Sequence, residues 1–486
     1  MAKLFLGVGM LRTGAEYLES LRDGREVWLG GERVDVTTHP LLAPGAHAIA
    51  EVYDLQNDPN HRDLLTMTSP DTGDPVSAAW RLPRSTEDLV RRRAMIELLM
   101  RRTGGTMGRL PEYMAAILMG LHNARDLLAS ENPMYAERVA TYFAHCREQD
   151  LCLSHGFTDP PRDRNRPASD MEYLHVVERN SDGIVIRGAK AVATIAPYAN
   201  EYVGLTAQRP DLKPEEVLYF AVPIATPGLR LVCRESFAHP AAADHPLSAA
   251  YDEMDAWVVF DDVRIPNERV FFLDRVDLNL QLFSAIPSAF AFHHILTRQA
   301  VKAEVLAGIS VAVADHLGTT SQPATQTALA ELIGYLETLR AFLFAAEQQA
   351  ALLPSGLMVP SQLHTIQGRI HGMERHPAML QLVRDVCGSS ILMAPGQADL
   401  DDPEVGVAVR RYLAGADPRA EDRFRLLKLA WEYAGDSFGS RQLLFELYNG
   451  GTLAVNRARL INTYDTVPLA RLAKDLAGIR TPTKES

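Results

Sequence analysis

LSHGFTDPPRDRNRPAS, residues 153–169, is where the hydrophobic pattern of the chain changes period. Rich in Pro, Asp, Arg and Gly, it reads as a loop. On its N-terminal side the pattern is helical. STEDLVRRRAMIELLMRRTGG (85–105) has capping-box spacing from Ser85 to Asp88, acids in its first turn, arginines in its last and Gly104–Gly105 at its end. A second helix is expected from about residue 111, with Pro111 in its first turn, and a third from Pro133 with Asn132 as cap.

On the C-terminal side come short apolar runs with turn punctuation: YLHVVER, NSDG, IVIRGAKAVAT, EYVGLTAQ, VLYFAVPI, LRLVCRES and AWVVFDDVRIP. This rhythm predicts an antiparallel β domain, barrel- or sandwich-like. From about residue 280 the helical period returns. FHHILTRQAVKAEVLAGISVAVADHLG ends at Gly318, and further long helices are expected over 325–352, 361–387 and 419–448. Long antiparallel helices of this kind pack as a bundle. The expected fold class is α+β and multidomain. It comprises a mainly helical N-terminal domain over 1–152, a middle β-barrel domain over 153–278 and a four-helix bundle over 279–486.

Bulk properties narrow the function. At 486 residues the chain exceeds what one core organises. A net charge of −12 argues against a protein that grips nucleic acid or an anionic membrane. The four cysteines (Cys146, Cys152, Cys233, Cys387) form no CxxC pair and have no histidine cluster beside them, so structural thiols and no metal are expected. In MAKLFLGVGMLRTGAEYLE, Arg12 closes the apolar start without a small-x-small cleavage site. The charge-poor run 278–297 is broken by Asn279, Gln281, Pro287 and two histidines. No membrane span and a cytoplasmic location are expected.

No GxGxxG opening a helix, no GxxxxGK[ST], no HExxH and no GxSxG occurs. A flavin, if used, would sit outside any Rossmann domain. TMGRLPEY (106–113) sets Arg109 and Tyr113 on either side of Pro111. By residue type alone they are either surface groups at a helix corner or two donors aimed at one oxygen.

Six segments carry a resemblance: RTGAEYLESLRDGREVWLGGERV (12–34), MGRLPEYM (107–114), SHGFTDPPRDR (154–164), VVERNSDGIVIRGAKAVATIAPYANE (176–201), FDDVRIPNERVF (260–271) and EDRFRLLKLAWEYAGDSFGSRQLLFELYNGG (421–451). In this order they resemble the oxygenase component of two-component 4-hydroxyphenylacetate 3-monooxygenases, on an acyl-CoA dehydrogenase-like fold. The resemblance implies that Arg109, Tyr113 and His155 meet around a phenol oxygen as the catalytic residues. It places Tyr198, Ala199 and Asn200 at the substrate's tail. It assigns His155, Pro161, Arg162, Asp163, Arg164, Thr194, Arg298, Tyr448, Asn449, Gly450 and Gly451 to the flavin. Arg298 keeps a second reading, an ion pair with an acid inside the bundle.

The implied reaction is ortho-hydroxylation of a para-substituted phenol to a catechol, using O2 and a flavin C4a-hydroperoxide. FADH2 would come from a separate flavin reductase, and the chain would form a homodimer or homotetramer. The chemistry gives these residue types an independent reason. A phenolate ring is a far better nucleophile than a phenol, whose pKa is about 10. A neighbouring guanidinium lowers such a value by roughly 1–3 units. An imidazole, titrating near neutrality, could take the proton. Where the family offers small hydroxyl residues to a substrate carboxylate, Tyr198–Ala199–Asn200 stand here, which predicts a larger or uncharged phenol of secondary metabolism, free or carrier-tethered.

Three other enzymes are weighed. An acyl-CoA dehydrogenase-like oxidase or dehydrogenase needs a carboxylate base such as Glu432 or Glu446. A chlorophenol monooxygenase of the same family shares the phenol chemistry. A 4-hydroxybutyryl-CoA dehydratase needs cluster thiolates, and neither 99–113 nor the helix holding His293 and His294 has a cysteine.

Overall fold

The computed structural model describes residues 11–161, 163, 165, 172–209, 211–413 and 420–479. The helix Thr86–Arg102 starts on the expected capping box: Ser85 Oγ accepts from Asp88 N (3.2 Å), and the Asp88 carboxylate accepts from Ser85 N (3.1 Å). It ends where Gly104 and Gly105 take φ of 61° and 74°, a backbone that side-chain-bearing residues avoid. Pro133–Glu148 begins on Asn132, whose side chain accepts from Met134 N at 3.0 Å.

Between them, Pro111–Asn123 is buried at every position from Glu112 to Leu121. It lies against the helix Val276–Ala289 so closely that a Cβ on Gly120 would run into the Ile286 carbonyl. A helix apolar all round belongs in a core. Its first turn therefore carries Tyr113 into the interior.

The β region forms two main sheets. One runs Glu32–Arg33, Glu26–Leu29, Leu229–Cys233, Asp255–Pro266, Gly183–Thr194, His175–Asn180; the other runs Val270–Leu273, Leu218–Pro223, Glu201–Gly204, Leu153–Gly156. Both are mixed, which corrects the antiparallel expectation. Glu26–Leu29 pairs in parallel with Leu229–Cys233, and Leu153–Gly156 with Glu201–Gly204. Parallel neighbours need long connections, and both pairs have them. The first pairing also makes the N-terminal region a contributor to the middle sheet. The second moves His155 out of the expected loop and onto a strand buried at all four positions.

The bundle is built from Ala291–His316, Pro323–Gln348 and Gln362–Cys387, followed by Ala420–Ala434 and Ser437–Tyr448. The single element expected over 419–448 is two helices, because Asp436 caps the second through Gly439 N (2.9 Å). Residue 419 lies outside the described residues. Ala291–His316 joins the parts: Phe292, Ile295 and Val301 pack with the N-terminal and β-domain core, while Leu296, Ala303 and Leu306 pack within the bundle. Among the described residues no helix is long and apolar enough to cross a membrane.

Candidate active site

Arg109 and Tyr113 flank Pro111, so the helix start aims both side chains the same way. The Arg109 guanidinium lies 3.7 Å from the centre of the Tyr113 ring. The Tyr113 ring stands 5.6 Å from the His155 ring and edge-on to His294 at 5.0 Å. His155 stacks on Phe157 at 4.3 Å. From the bundle, Asn449 Oδ1 accepts a hydrogen bond from Arg109 Nη2. The three residues expected from the sequence thus meet where all three regions of the chain converge. All are nearly withdrawn from solvent.

An ion-pair network fixes this cluster from behind. Glu253 accepts from the Arg109 backbone N–H at 2.6 Å and from Arg441 Nη1 at 2.9 Å. Arg441 also grips Asp255 bidentately at 3.0 and 2.8 Å, and Thr194 Oγ1 donates to Asp255 at 2.7 Å. Burial would raise the Asp255 carboxyl, but Arg441, then Arg234 and Thr194, hold it well below its ordinary range. Deeper in the bundle, Arg298 and Lys302 both bind Glu446, with Arg298 Nη2 at 3.0 Å and Lys302 Nζ at 2.6 Å. The Phe445 ring has Arg109, Arg298 and Arg441 around it at 5.1, 4.9 and 4.6 Å. On the far side of Tyr113, His294 Nε2 and Glu112 Oε1 share a 2.9 Å hydrogen bond, and burial pushes the Glu112 carboxyl up to about 7.

The loop after Ser437–Tyr448 brings Gly450 and Gly451 beside the cluster with φ of 77° and 102°. A Cβ on Gly450 would stand 3.2 Å from Phe292 and Ile295. Only glycine fits both the conformation and the space.

Against known families, residues 13–272 match the N-terminal model of 4-hydroxyphenylacetate 3-hydroxylase, and residues 282–478 match its C-terminal model. The chain belongs to the 4-hydroxyphenylacetate 3-hydroxylase family. It is 37% identical to the oxygenase component of 4-nitrophenol 4-monooxygenase/4-nitrocatechol 2-monooxygenase from Rhodococcus opacus, covering 96% of this chain and 91% of the relative. It is 34% identical to the 4-hydroxyphenylacetate 3-monooxygenase oxygenase component of Thermus thermophilus, over 94% of this chain and 96% of the relative. The solved oxygenase component of 4-hydroxyphenylacetate 3-monooxygenase complexed with FAD superposes with a TM-score of 0.91 at 33% identity, covering 96% of this chain and 98% of that one. The family and the acyl-CoA dehydrogenase-like layout expected from the sequence are borne out.

Within this family member the remaining expected site residues divide. Thr194 joins the Asp255 network. Asn449, Gly450 and Gly451 border the cluster, whereas the Tyr448 side chain is exposed. Pro161 and Asp163 are exposed, and Asp163 Oδ1 accepts from Asn165 N at 3.0 Å. Arg162 and Arg164 lie outside the described residues. Arg298 takes the second of its two readings, the ion pair with Glu446.

Tyr198, Ala199 and Asn200 require a correction, because they do not join the Arg109 cluster. They pack against the N-terminal segment instead. The Asn200 side chain accepts from Arg12 Nη1 (2.8 Å) and Cys152 N (3.1 Å) and donates to Ser20 Oγ (2.9 Å). The Ala199 carbonyl accepts from Arg25 at 2.8 Å, the Tyr198 carbonyl from Tyr17 Oη at 2.7 Å, and the Tyr198 ring fills the space left by Gly45. Ile195, at φ 56°, turns the chain that way. The substrate preference drawn from these three residues loses its footing.

Burial first, and then the Arg109 charge, hold the His155 imidazole well below the usual histidine range. It is therefore neutral at pH 7, and neither ring nitrogen has a hydrogen-bond partner among the described residues. A stability consequence follows from the sign of that shift. Between the unfolded value of about 6.5 and the lower folded one, the unfolded chain binds a proton that the folded chain refuses. Stability present above pH 6.5 is lost as the pH falls, by about 1.4 kcal/mol per unit for one such group. His155→Gln should flatten the pH dependence of urea unfolding below pH 6.5 by that amount. Equal slopes in the two proteins would contradict the assignment.

Proposed function

We propose that this chain ortho-hydroxylates a para-substituted phenol to a catechol, with Arg109, Tyr113 and His155 gathered on the phenol oxygen. It is an FADH2-dependent aromatic monooxygenase, the oxygenase component of a two-component system that uses O2. The observation that carries the reading is a buried guanidinium with no carboxylate ion pair among the described residues, stacked on a tyrosine whose ring also stands beside an uncharged imidazole. Glu253 meets the backbone of Arg109 and gives its other oxygen to Arg441, so the Arg109 charge stays available to an arriving anion. A phenol bound there ionises more readily, and the electrons released into the ring activate the carbon beside the oxygen. While the phenol is still protonated, a neutral His155 can accept a hydrogen bond from its O–H; once that proton has left to solvent, Tyr113 can donate to the oxyanion that Arg109 stabilises.

Reduced FAD, when bound, supplies the activation of dioxygen. The residues present fit such a group. Gly450 and Gly451 let backbone approach closely, Asn449 Nδ2 and Arg369 Nε and Nη1 lack partners among the described residues, and Phe157, Phe292 and Ile295 provide apolar walls. The flavin reductase partner follows from the two-component class. The acyl-CoA dehydrogenase alternative loses its base: Glu446 is held by Arg298 and Lys302, and Glu432 accepts from Leu247 N and from Ser248 N and Oγ. An assay with chemically reduced FAD against tyrosol, coumarate, tyrosine, 4-nitrophenol and 4-hydroxyphenylacetate tests the reading. Formation of a catechol from at least one supports it; flavin oxidation with none defeats it.

The same reading includes self-association as a homodimer or homotetramer. The helix Val467–Leu476 leaves Leu472 61% and Leu476 82% exposed, together with Val467 and Leu469. Such an apolar stripe is normally covered by a symmetric copy. Sedimentation should show a dimer or tetramer at micromolar concentration, and only a 53.7 kDa species would refute it.

A further inference from the structure

Arg369, on the helix Gln362–Cys387, is fully buried, and among the described residues it makes one long hydrogen bond, Nη2 to Gly451 O at 3.4 Å. Its Nε and Nη1 have no partner among the described residues. The carboxylate whose field reaches it, Glu446, is already bound by Arg298 and Lys302. Its other charged neighbours, Arg298 and Arg459, are cations. Phe292, Ile295 and the Gly450 backbone close around it, with Nε 3.4 Å from where a Gly450 Cβ would stand. Burial lowers its pKa to about 9, which leaves it charged at neutral pH. An unpaired buried cation is among the least favourable groups a fold can hold, unless an anion arrives to meet it.

The place where it waits is continuous with the catalytic cluster. Asn449 bonds Arg109, and the next two residues of the same loop run past Arg369. Tyr113 is near enough to bias the charge of Arg369. Two buried guanidinium groups therefore border one loop, neither with a carboxylate ion pair of its own among the described residues.

We propose that Arg369 is the receptor for an oxyanion, carboxylate or phosphate, carried by the molecule bound beside the 449–451 loop. The inference rests on the oxygenase reading and extends it, with Arg109 meeting the phenolic end of the site and Arg369 an acidic group. That group belongs either to the para-substituent of the phenol or to the phosphates of the flavin.

Arg369→Gln keeps hydrogen-bonding capacity and removes the charge, and Arg369→Lys keeps the charge. Three measurements on each variant decide the matter: thermal unfolding without ligand, anaerobic titration with reduced FAD and reduced riboflavin, and KM for 4-hydroxyphenylacetate and its methyl ester. For Arg369→Gln the unliganded midpoint should stay level or rise. One member of one pair should weaken about thirtyfold or more. Weaker FAD with unchanged riboflavin assigns the phosphates; a raised KM for the acid with an unchanged ester assigns the para-substituent. Arg369→Lys should retain most of the lost discrimination. If neither pair separates in either variant, or if the unliganded midpoint falls with all four affinities intact, Arg369 is a packing residue and the proposal is overturned. Failure of the wild type to form catechol from any of the five phenols named above would defeat the oxygenase reading alone, since the two flavin titrations still judge Arg369.

Discussion

Arg109→Ala should lower hydroxylation by a factor of about a hundred to a thousand while leaving the affinity for reduced FAD close to wild type. The size follows from removing one charge-assisted hydrogen bond to a developing anion in a closed site, about 2–4 kcal/mol in the transition state. The fold should tolerate the change. The backbone N–H of residue 109 keeps its bond to Glu253, and the lost side chain has no carboxylate partner among the described residues. What disappears from folding is the stacking on Tyr113 and Phe445 and the bonds to Asn449 and the Gly108 carbonyl, about 2–3 kcal/mol together. The pH profile separates the phenolate role from a structural one. Without the guanidinium the phenol ionises near its free value of about 10, so residual activity should climb steeply above pH 8. Near-wild-type turnover at pH 7, or a parallel loss at every pH, would contradict it.

Glu446→Ala should cost about 3–5 kcal/mol of stability, the range for removing one partner of a buried ion pair. Arg298 and Lys302 are 0% and 1% exposed, and both rely on this carboxylate. Its removal leaves two cations in an apolar interior beside Phe445 and Arg369. Burial would raise the Glu446 carboxyl, yet Arg298 and Lys302 hold it well below its ordinary value, so the group is an anion throughout the working pH range. A domain has about 5–15 kcal/mol in total, so the variant should approach unfolding at moderate temperature. Urea unfolding measures it. A loss under 1 kcal/mol would show that the triad is not holding the bundle together.

How far the sequence led depends on whether a feature is local. The capping box at Ser85, the Asn132–Pro133 start and the glycines at 104–105 were legible because each sits within one helical turn of what it controls. Arg109 and Tyr113 stand four positions apart across a helix start, which left two readings open by residue type; the family resemblance is what paired them. His155 was placed in the right company on the wrong element: a four-residue parallel strand, buried on both faces, shows no alternation, and its partner lies some fifty residues on. The bond from Glu253 to Arg441 spans 188 positions, and no periodicity announces it. The segment 198–200 was expected at the substrate's tail, but its direction is set by the left-handed turn at Ile195, which a β-branched residue does not advertise. Arg369 lay in a helix with no motif around it. Only its unpartnered Nε and Nη1, among the described residues, mark it.

The central claim is that this chain receives reduced flavin and places one atom of dioxygen beside a phenol oxygen held by Arg109. The most direct measurement mixes the protein anaerobically with chemically reduced FAD and 4-hydroxyphenylacetate or tyrosol, then admits ¹⁸O2 and weighs the product. The account calls for a catechol bearing one ¹⁸O ortho to the original hydroxyl, formed without NADH and nearly absent with Arg109→Ala. A product oxygen drawn from water, or a chain that carries oxidised FAD and reacts directly with NADH, would contradict it.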